Sequence, residues 1–315
     1  MRVIFCGTPE IAVPSLQALA EIAEIVGVVC QPDRPAGRGL KLTPPPVKVE
    51  AQARGLEVFQ PTKVKDGSLA RWMHDRRADL ALVIAYGRIL TLETLNAPRL
   101  GCVNLHASLL PAYRGAAPIQ RALMDGCTET GVCLMRMDEG MDTGAVLSRR
   151  PLRIETDDDA GSLALKLGEL AAQMTRDDLP RLARGELTPQ PQDEGLASYA
   201  PPLSKNDAIL DFTQPASRLL NHVRGVSPRP GAFCFLDGSP ARRFKIRRAL
   251  EYSGNLRLAP GQVGEENGLL LVGTGDGNLV VVDGQLEGKT MQSGAELLRG
   301  RTLLLGSVLK GSPPC

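Results

Sequence analysis

GCVNLHASLLPAYRG, residues 101–115, opens as a buried strand and closes as something else. After Gly101 the chain runs apolar through Cys102 and Val103, and then Asn104, His106 and Ser108 alternate with Leu105 and Ala107. Successive side chains of an extended chain point to opposite faces, so these three polar groups are expected together on one face. A strand that merely stops shows Gly, Asn or Asp in a turn. One that ends in an amide, an imidazole and a hydroxyl, followed at once by Leu109, Leu110 and Pro111, reads as the rim of a site.

The neighbours of this strand decide the fold class. RVIFC (2–6), EIVGVVC (24–30), LEVF (56–59) and DLALVIA (79–85) are short Val/Ile/Leu-rich runs, separated by amphipathic stretches at 13–23, 47–55 and 68–77. Runs of this kind mark strands buried on both faces, and the intervening helical periods supply the cover. The expectation is a doubly wound, mostly parallel α/β sheet of Rossmann-like type. GVCLMRM (131–137) and AVLSRRPLRI (145–154) add two strands, and Ala160 to Arg184 reads as a closing helix broken at Pro180. Ligands of open α/β sheets settle beyond the carboxyl ends of the strands where strand order reverses, and the end of GCVNLH is expected to be that place. The first strand ends in GTPE without the G-x-G-x-x-G fingerprint, and no acidic residue is suitably placed after the second, which disfavours a dinucleotide site.

TPQPQDEGLASYAPPL, 188–203, reads as a linker between a catalytic domain at 1–187 and a second domain at 204–315. Beyond it the character changes: GAFCFL, RRFKIRRALEY, GQVGE, GLLLVGT and NLVVVDGQL are short runs punctuated by Asn-Gly, Asp-Gly and Gly-Asp, the signals of hairpins in a small antiparallel barrel. Residues 204–315 carry 14 Lys/Arg against 10 Asp/Glu, whereas residues 1–203 carry 23 against 25, so the mild basic excess of this +2 chain lies in its second part. In ARRFKIRR (241–248), Phe244 and Ile246 alternate with Arg243, Lys245 and Arg247. That pattern reads either as an edge strand protected by charge or as a phosphate-binding face.

The seven cysteines form an odd set with no C-x-x-C pair, which reads as reduced thiols of a cytosolic protein without a zinc site. No window approaches the roughly 20 apolar residues that span a bilayer, and the N-terminus lacks a secretory-signal pattern.

An amide beside an imidazole on one face can stabilise an oxyanion while a proton moves. The ring then needs a carboxylate, and MDEGMDTG (137–144) offers Asp138, Glu139 and Asp142. Three acids in five residues could also hold a divalent cation, but the loop lacks the DxDxDG ligand order.

NLHxSLLPxYRG followed some thirty residues on by MDxGxDTG resembles the formyltetrahydrofolate-dependent formyltransferases. The resemblance implies Asn104, His106 and Asp142 as the catalytic group, with Asp142 either orienting His106 or holding a water. It implies 10-formyltetrahydrofolate as co-substrate, no metal, and Ser108, Leu109, Leu110 and Pro111 as folate contacts, the apolar ones packing against it. Ala85, Tyr86 and Gly87 fall in the family's pterin loop, which acts through backbone groups, so side-chain changes there are expected to be tolerated better than at Asn104. FCGTPEIAVPSL, VCQPDRPAGRGLKLTPPPVK, VIAYGRIL, YAPPLSK and SPRPGAF narrow the resemblance to the members that formylate initiator methionyl-tRNA, and imply an OB-like C-terminal barrel that holds tRNA. On that basis Arg34, Arg38 and Lys41 of the basic insertion, and Lys205, Arg242, Arg243, Lys245 and Arg247 of the second domain, are expected tRNA contacts, in a cytoplasmic monomer. By composition alone the insertion is a mobile surface loop. The rivals are formyl transfer to a small amine, hydrolysis of formyltetrahydrofolate, an oxidoreductase, and a non-catalytic RNA-binding module.

Overall fold

The computed structural model describes residues 1–37, 39–236 and 242–312. Two compact units emerge. One comprises 1–118, 129–154 and 163–201, and the other 119–128, 155–162 and 202–315.

The first unit is built on a seven-stranded sheet: β1 (Arg2–Gly7), β2 (Glu24–Val29), β3 (Val58–Phe59), β4 (Leu80–Ile84), β5 (Cys102–His106), β6 (Glu129–Arg136) and β7 (Val146–Arg153). Its order is β7-β6-β5-β4-β1-β2-β3. The five strands from β3 to β5 pair in parallel, and β6 and β7 extend the sheet antiparallel. Val3, Ile4, Phe5, Cys6, Leu80, Ala81 and Leu82 are wholly buried, which is why their runs show no polar alternation. Full burial of one such leucine is worth about 2 kcal/mol, and Leu82→Ala would cost somewhat more because a cavity remains. Over β2, Trp72 lies against Gly27, where an added Cβ would meet the indole at 2.4 Å, and Phe59 of the edge strand β3 stacks on the same ring at 5.0 Å.

Two expectations need correction. Strand order reverses between β1 and β4, not at β5, so the switch point lies one strand away from Asn104 and His106. The closing helix, Ala160–Ala183, runs through Pro180 instead of breaking there. Pro180 stands in the last turn, where its missing N–H forfeits a single bond.

In the second unit β8 (Ala232–Leu236), β9 (Arg242–Glu251), β10 (Val263–Glu266), β11 (Leu269–Gly273), β12 (Asn278–Leu286), β13 (Gln292–Ser293) and β14 (Leu309–Lys310) form one antiparallel sheet in the order β10-β11-β12-β9-β8-β14, with β13 against β12. The hairpin from β10 to β11 turns at Asn267-Gly268, both at positive φ (+53° and +77°), the pair that suits the twist of antiparallel strands. Leu219, Val223 and Val226 of the helix Ala216–Val226 share a core with Phe244, Ile246, Val272, Leu279 and Val281. At and just before the start of the path's two end strands, the backbone is also joined: Val263 N–H donates to Ser307 O and Leu309 N–H to Gly261 O, each at 2.8 Å.

Candidate active site

Asn104 and His106 stand two residues apart on β5, with only Asn104's neighbours Val83 and Met135 and His106's neighbour Cys133 opposite them in the sheet. They are 9 % and 6 % exposed, so both polar groups are withdrawn from bulk water at the carboxyl edge of the sheet. The strand ends at His106. Ser108 is therefore not a third member of the alternation: the chain turns, and its buried hydroxyl donates to Ala112 O at 2.6 Å, closing the loop that leads to Tyr113. That loop includes a cis Leu110–Pro111 bond.

Tyr113, at φ +60°, aims its carbonyl at His106, whose Nε2 lies 2.9 Å away. A carbonyl can only accept, so Nε2 carries the hydrogen. Nδ1 is then the nitrogen at which a proton comes and goes, and it faces Asp142 Oδ2 at 3.5 Å. The same oxygen accepts from Gly115 N–H at 2.8 Å. Gly115 is at φ +120°, and a Cβ there would meet Ala200 O at 2.7 Å, so only glycine delivers this amide to the carboxylate. Asp142 is itself left-handed, φ +56°. Its carbonyl accepts from Gln192 Nε2 at 2.7 Å, and Gly144 O accepts from the same nitrogen at 2.8 Å. Gln192 Oε1 in turn accepts from Arg114 Nε and Nη2 at 3.1 and 2.9 Å. The Arg114 guanidinium is fully buried and pairs with both oxygens of Glu194 at 2.8 and 2.9 Å. That pairing holds the Glu194 carboxyl below its ordinary range.

Gln192 and Glu194 lie in the passage expected as a linker. It is stitched to the site along its length: Gln190 exchanges two backbone hydrogen bonds with Val146 at 2.8 Å, Ser198 O accepts from Arg114 N–H at 2.8 Å, and Tyr199 and Ala200 pair with Arg114 and Gly115. Its Pro- and Gly-rich composition lacks any strand or helix period, and a single partner bond every second or third residue leaves no trace in such a pattern. Neither Gln192 nor Arg114 was singled out by sequence reasoning. The visible signal for Arg114 was its place three residues beyond an apolar Leu-Pro turn.

The other expected contacts divide. Leu110 is buried in a cluster with Cys133, Met135 and Val146, and Leu109 packs over Gly131, while Pro111 is half-buried. Ala85 (φ +47°) and Gly87 (φ +78°) turn the chain after β4, at the same edge of the sheet as His106. Thr8 Oγ1 and Gln31 Nε2 donate to Tyr86 O at 3.1 and 3.0 Å, and Gln31 Nε2 also reaches Gly87 O at 3.1 Å. The tolerance expected of this loop does not extend to Tyr86, because its ring is buried with Ile4, Cys6, Val29 and Val83. Burial also pushes its hydroxyl well above the ordinary range.

Arg34 and Lys41 lie on the paired strands Arg34–Ala36 and Lys41–Thr43, while Arg38 lies outside the described residues. Arg34 donates to Gln31 Oε1, so the insertion is tied through Gln31 to the Tyr86-Gly87 turn. Beside that turn a cavity of about 860 Å³ is lined by Gln31, Arg34, Lys63, Lys65, Asp66 and Arg88, among others.

On β9, Phe244 and Ile246 are buried and the cations point outward, as the alternation predicts. Arg247 is paired with Asp159 at 2.7 Å, and Arg243 lies 4.5 Å over the Phe233 ring. Lys205, Arg242 and Lys245 form no ion pair among the described residues. Asp138 accepts from Gly140 N–H and Thr143 Oγ1 and so shapes its own loop. No group of three His, Cys, Asp or Glu among the described residues could hold a metal ion. Burial pushes the Cys133 thiol up to about 11, which leaves the site without a thiolate nucleophile at neutral pH. What remains is an amide donor, a ring with one fixed hydrogen, and a carboxylate behind it: the equipment for stabilising an oxyanion and moving a proton.

Two family models match the chain in succession, formyl transferase over residues 1–177 and formyl transferase C-terminal domain over 202–302. The chain belongs to the formyl transferase family. A relative from Sorangium cellulosum, named methionyl-tRNA formyltransferase, is 50 % identical over 98 % of this chain and 99 % of its own. Relatives of the same name from Myxococcus xanthus (45 %, 97 % of each chain) and a Synechococcus strain (46 %, 97 % of each) match similarly. Among solved structures, HypX of Aquifex aeolicus in complex with tetrahydrofolic acid superposes with a TM-score of 0.64 at 19 % identity, covering 97 % of this chain and 48 % of HypX. The sugar 3N-formyl transferase WlaRD gives 0.65 at 16 %, covering 92 % and 99 %. At such identities these two show a shared fold. Among the described residues no helix is long and apolar enough to cross a membrane.

Proposed function

We propose that the chain transfers the formyl group of 10-formyltetrahydrofolate to the α-amino group of initiator methionyl-tRNA. The observation that carries this reading is the Asp142 carboxylate facing His106, with Asn104 two residues away on the same buried strand, in a chain half identical along its whole length to a relative of that name. The amine attacks the formyl carbon, negative charge develops on the formyl oxygen, and the bond from carbon to N10 breaks. Asn104 donates to that oxygen, and the protonated His106 ring stabilises the same charge. The amine loses a proton and N10 gains one. His106 mediates this exchange directly or through water, with Asp142 orienting the ring and opposing its positive charge.

The folate lies along Ser108–Pro111 and the backbone of Ala85–Gly87. The half-buried Leu109 and Pro111 and the bonded carbonyls of Tyr86 and Gly87 support that placement. In this reading residues 1–187 carry the chemistry and 204–315 the tRNA. The second unit is an OB-like barrel, supported by the hydrogen bonds between segments 261–263 and 306–309 at the two ends of its sheet. Arg34, Arg38 and Lys41, with Lys205, Arg242, Arg243 and Lys245, meet tRNA phosphates, whereas Arg247 on the same face is held by Asp159. The enzyme acts as a monomer in the cytoplasm, and the cytoplasmic reading is supported by its free, mostly buried thiols.

The test offers the purified chain labelled 10-formyltetrahydrofolate with methionyl-tRNA, free methionine, glycinamide ribonucleotide, or no acceptor. Label should pass only to methionyl-tRNA. Transfer to a small amine, or release as formate without acceptor, would replace this reading with one of its rivals.

A further inference from the structure

Asp142 is the one member of the catalytic group that no regular element holds. His106 and Asn104 are fixed by a central strand, whereas Asp142 sits in a loop, in a left-handed conformation that few residues besides Gly, Asn and Asp adopt. Five hydrogen bonds fix that position. Gly115 N–H takes the carboxylate, Gln192 Nε2 holds the carbonyls of Asp142 and Gly144, and Arg114 fixes the other end of the Gln192 amide. Because Arg114 grips Oε1 with two N–H groups, the amide cannot flip, and its nitrogen must face the two carbonyls.

We infer that Gln192 is a positioning residue for formyl transfer: through the carbonyls of Asp142 and Gly144 it sets the carboxylate opposite His106 Nδ1, and Arg114 with Glu194 locks it in that orientation. The inference rests on the formyl-transfer reading and adds to it a role for a segment that carries no reacting group. Residues 190–200 are in this view part of the catalytic apparatus. A displacement of about 1 Å can cost about 100-fold in rate, so the precision of this loop is worth a measurable share of kcat.

Two variants of the full chain separate positioning from folding. Gln192→Ala removes both the grip on the loop and the partner of Arg114. Gln192→Glu keeps an oxygen for Arg114, and so keeps the segment docked, but offers no hydrogen to the two carbonyls. Both should lower kcat for methionyl-tRNA by about 10-fold or more with KM for the tRNA within about two-fold, and the Glu variant should melt close to the wild type.

The decisive readout is the cycle with Asp142→Asn. Asparagine tolerates the left-handed conformation and keeps an oxygen for Gly115, so that variant removes chiefly the charge to be positioned. In its background Gln192→Ala should lower kcat by less than about two-fold, because the two residues act as one unit. A merely structural Gln192 would cost the same factor in either background, and that outcome, or an unchanged kcat in Gln192→Glu, overturns the inference. A wild-type chain silent on methionyl-tRNA but active on another amine would instead overturn the parent reading, and the same cycle run on that amine would still decide the role of Gln192.

Discussion

Two regions of this molecule carry polar chemistry, and they are built in opposite ways. Around β5, Asn104 and His106 are buried and the groups facing them are held in place: His106 by Tyr113 O, the half-buried Asp142 carboxylate by Gly115 N–H, and the Asp142 carbonyl by Gln192. On β9 Phe244 and Ile246 go inward and the cations stand outward, and of these Arg242 and Lys245 form no ion pair among the described residues. Groups that stabilise charge developing at one atom must be pre-set, because reorganisation at the moment of reaction would cancel the gain. Groups that meet a chain of phosphates gain from counterion release wherever they stand along it, so looseness costs them little. Substitutions should accordingly act on kcat in the first region and on KM and its salt dependence in the second.

The largest effect belongs to the buried group. His106→Ala and Asn104→Ala should each lower kcat about 100- to 1000-fold while folate binding persists, since oxyanion and proton-transfer groups act mainly in the transition state. Single-turnover transfer from labelled cofactor, with folate binding measured separately, reads both quantities. A loss confined to KM would place these residues in substrate binding and blur the contrast between the regions.

Next comes the basic insertion, which spans the two modes. Arg34 is anchored through Gln31 to the Tyr86-Gly87 turn, close to the chemistry, although Arg34, Pro35 and Lys41–Thr43 are exposed. Arg38→Ala should reduce kcat/KM on methionyl-tRNA by about 100-fold, because a guanidinium that seats the acceptor end sets the position of the amine, and neither a lysine's point charge nor an anchored Arg34 replaces it. Folate binding and Tm should stay put. Unchanged tRNA kinetics in Arg38→Ala would return the insertion to a plain surface loop.

How far this could be read from sequence follows the same division. The parallel strands were legible because double-sided burial writes itself as unbroken Val/Ile/Leu runs, and β9 because one-sided burial writes itself as alternation. Asn104 and His106 were legible as a pair for the same period-two reason. Ser108 was misread by extending that period one step past the strand's end, where a side-chain bond to Ala112 O takes over. Tyr86 was misread because its backbone faces the site while its ring belongs to the core, and a one-letter code does not separate the two. The switch point was displaced by one strand because pairing order is a long-range property of the sheet. Gln192 was invisible, since its role depends on one amide reaching carbonyls 50 and 48 residues earlier in the chain.

The smallest effects should fall within the basic face itself, and they grade it. Lys245 is half-buried and forms no ion pair among the described residues. Lys245→Ala should raise KM for methionyl-tRNA a few-fold and flatten the dependence of log affinity on log salt by about 1, the signature of one lost phosphate contact. Arg247, on the same face two residues on, already holds Asp159 at 2.7 Å, and Asp159 Oδ1 in turn accepts from the backbone N–H groups of Gly161 and Ser162. Its charge is neutralised by a partner that must be released before a phosphate can take its place. Arg247→Ala should therefore leave KM within about two-fold and the salt slope nearly unchanged, with a stability loss of about 0.2–1 kcal/mol, the range for a partly exposed ion pair. Thermal melting alongside salt-titrated tRNA binding of the two variants measures the difference. Equal effects of Lys245 and Arg247 on the salt slope would show that Asp159 lets go when tRNA arrives, and that a fixed partner does not disqualify a cation from the tRNA face.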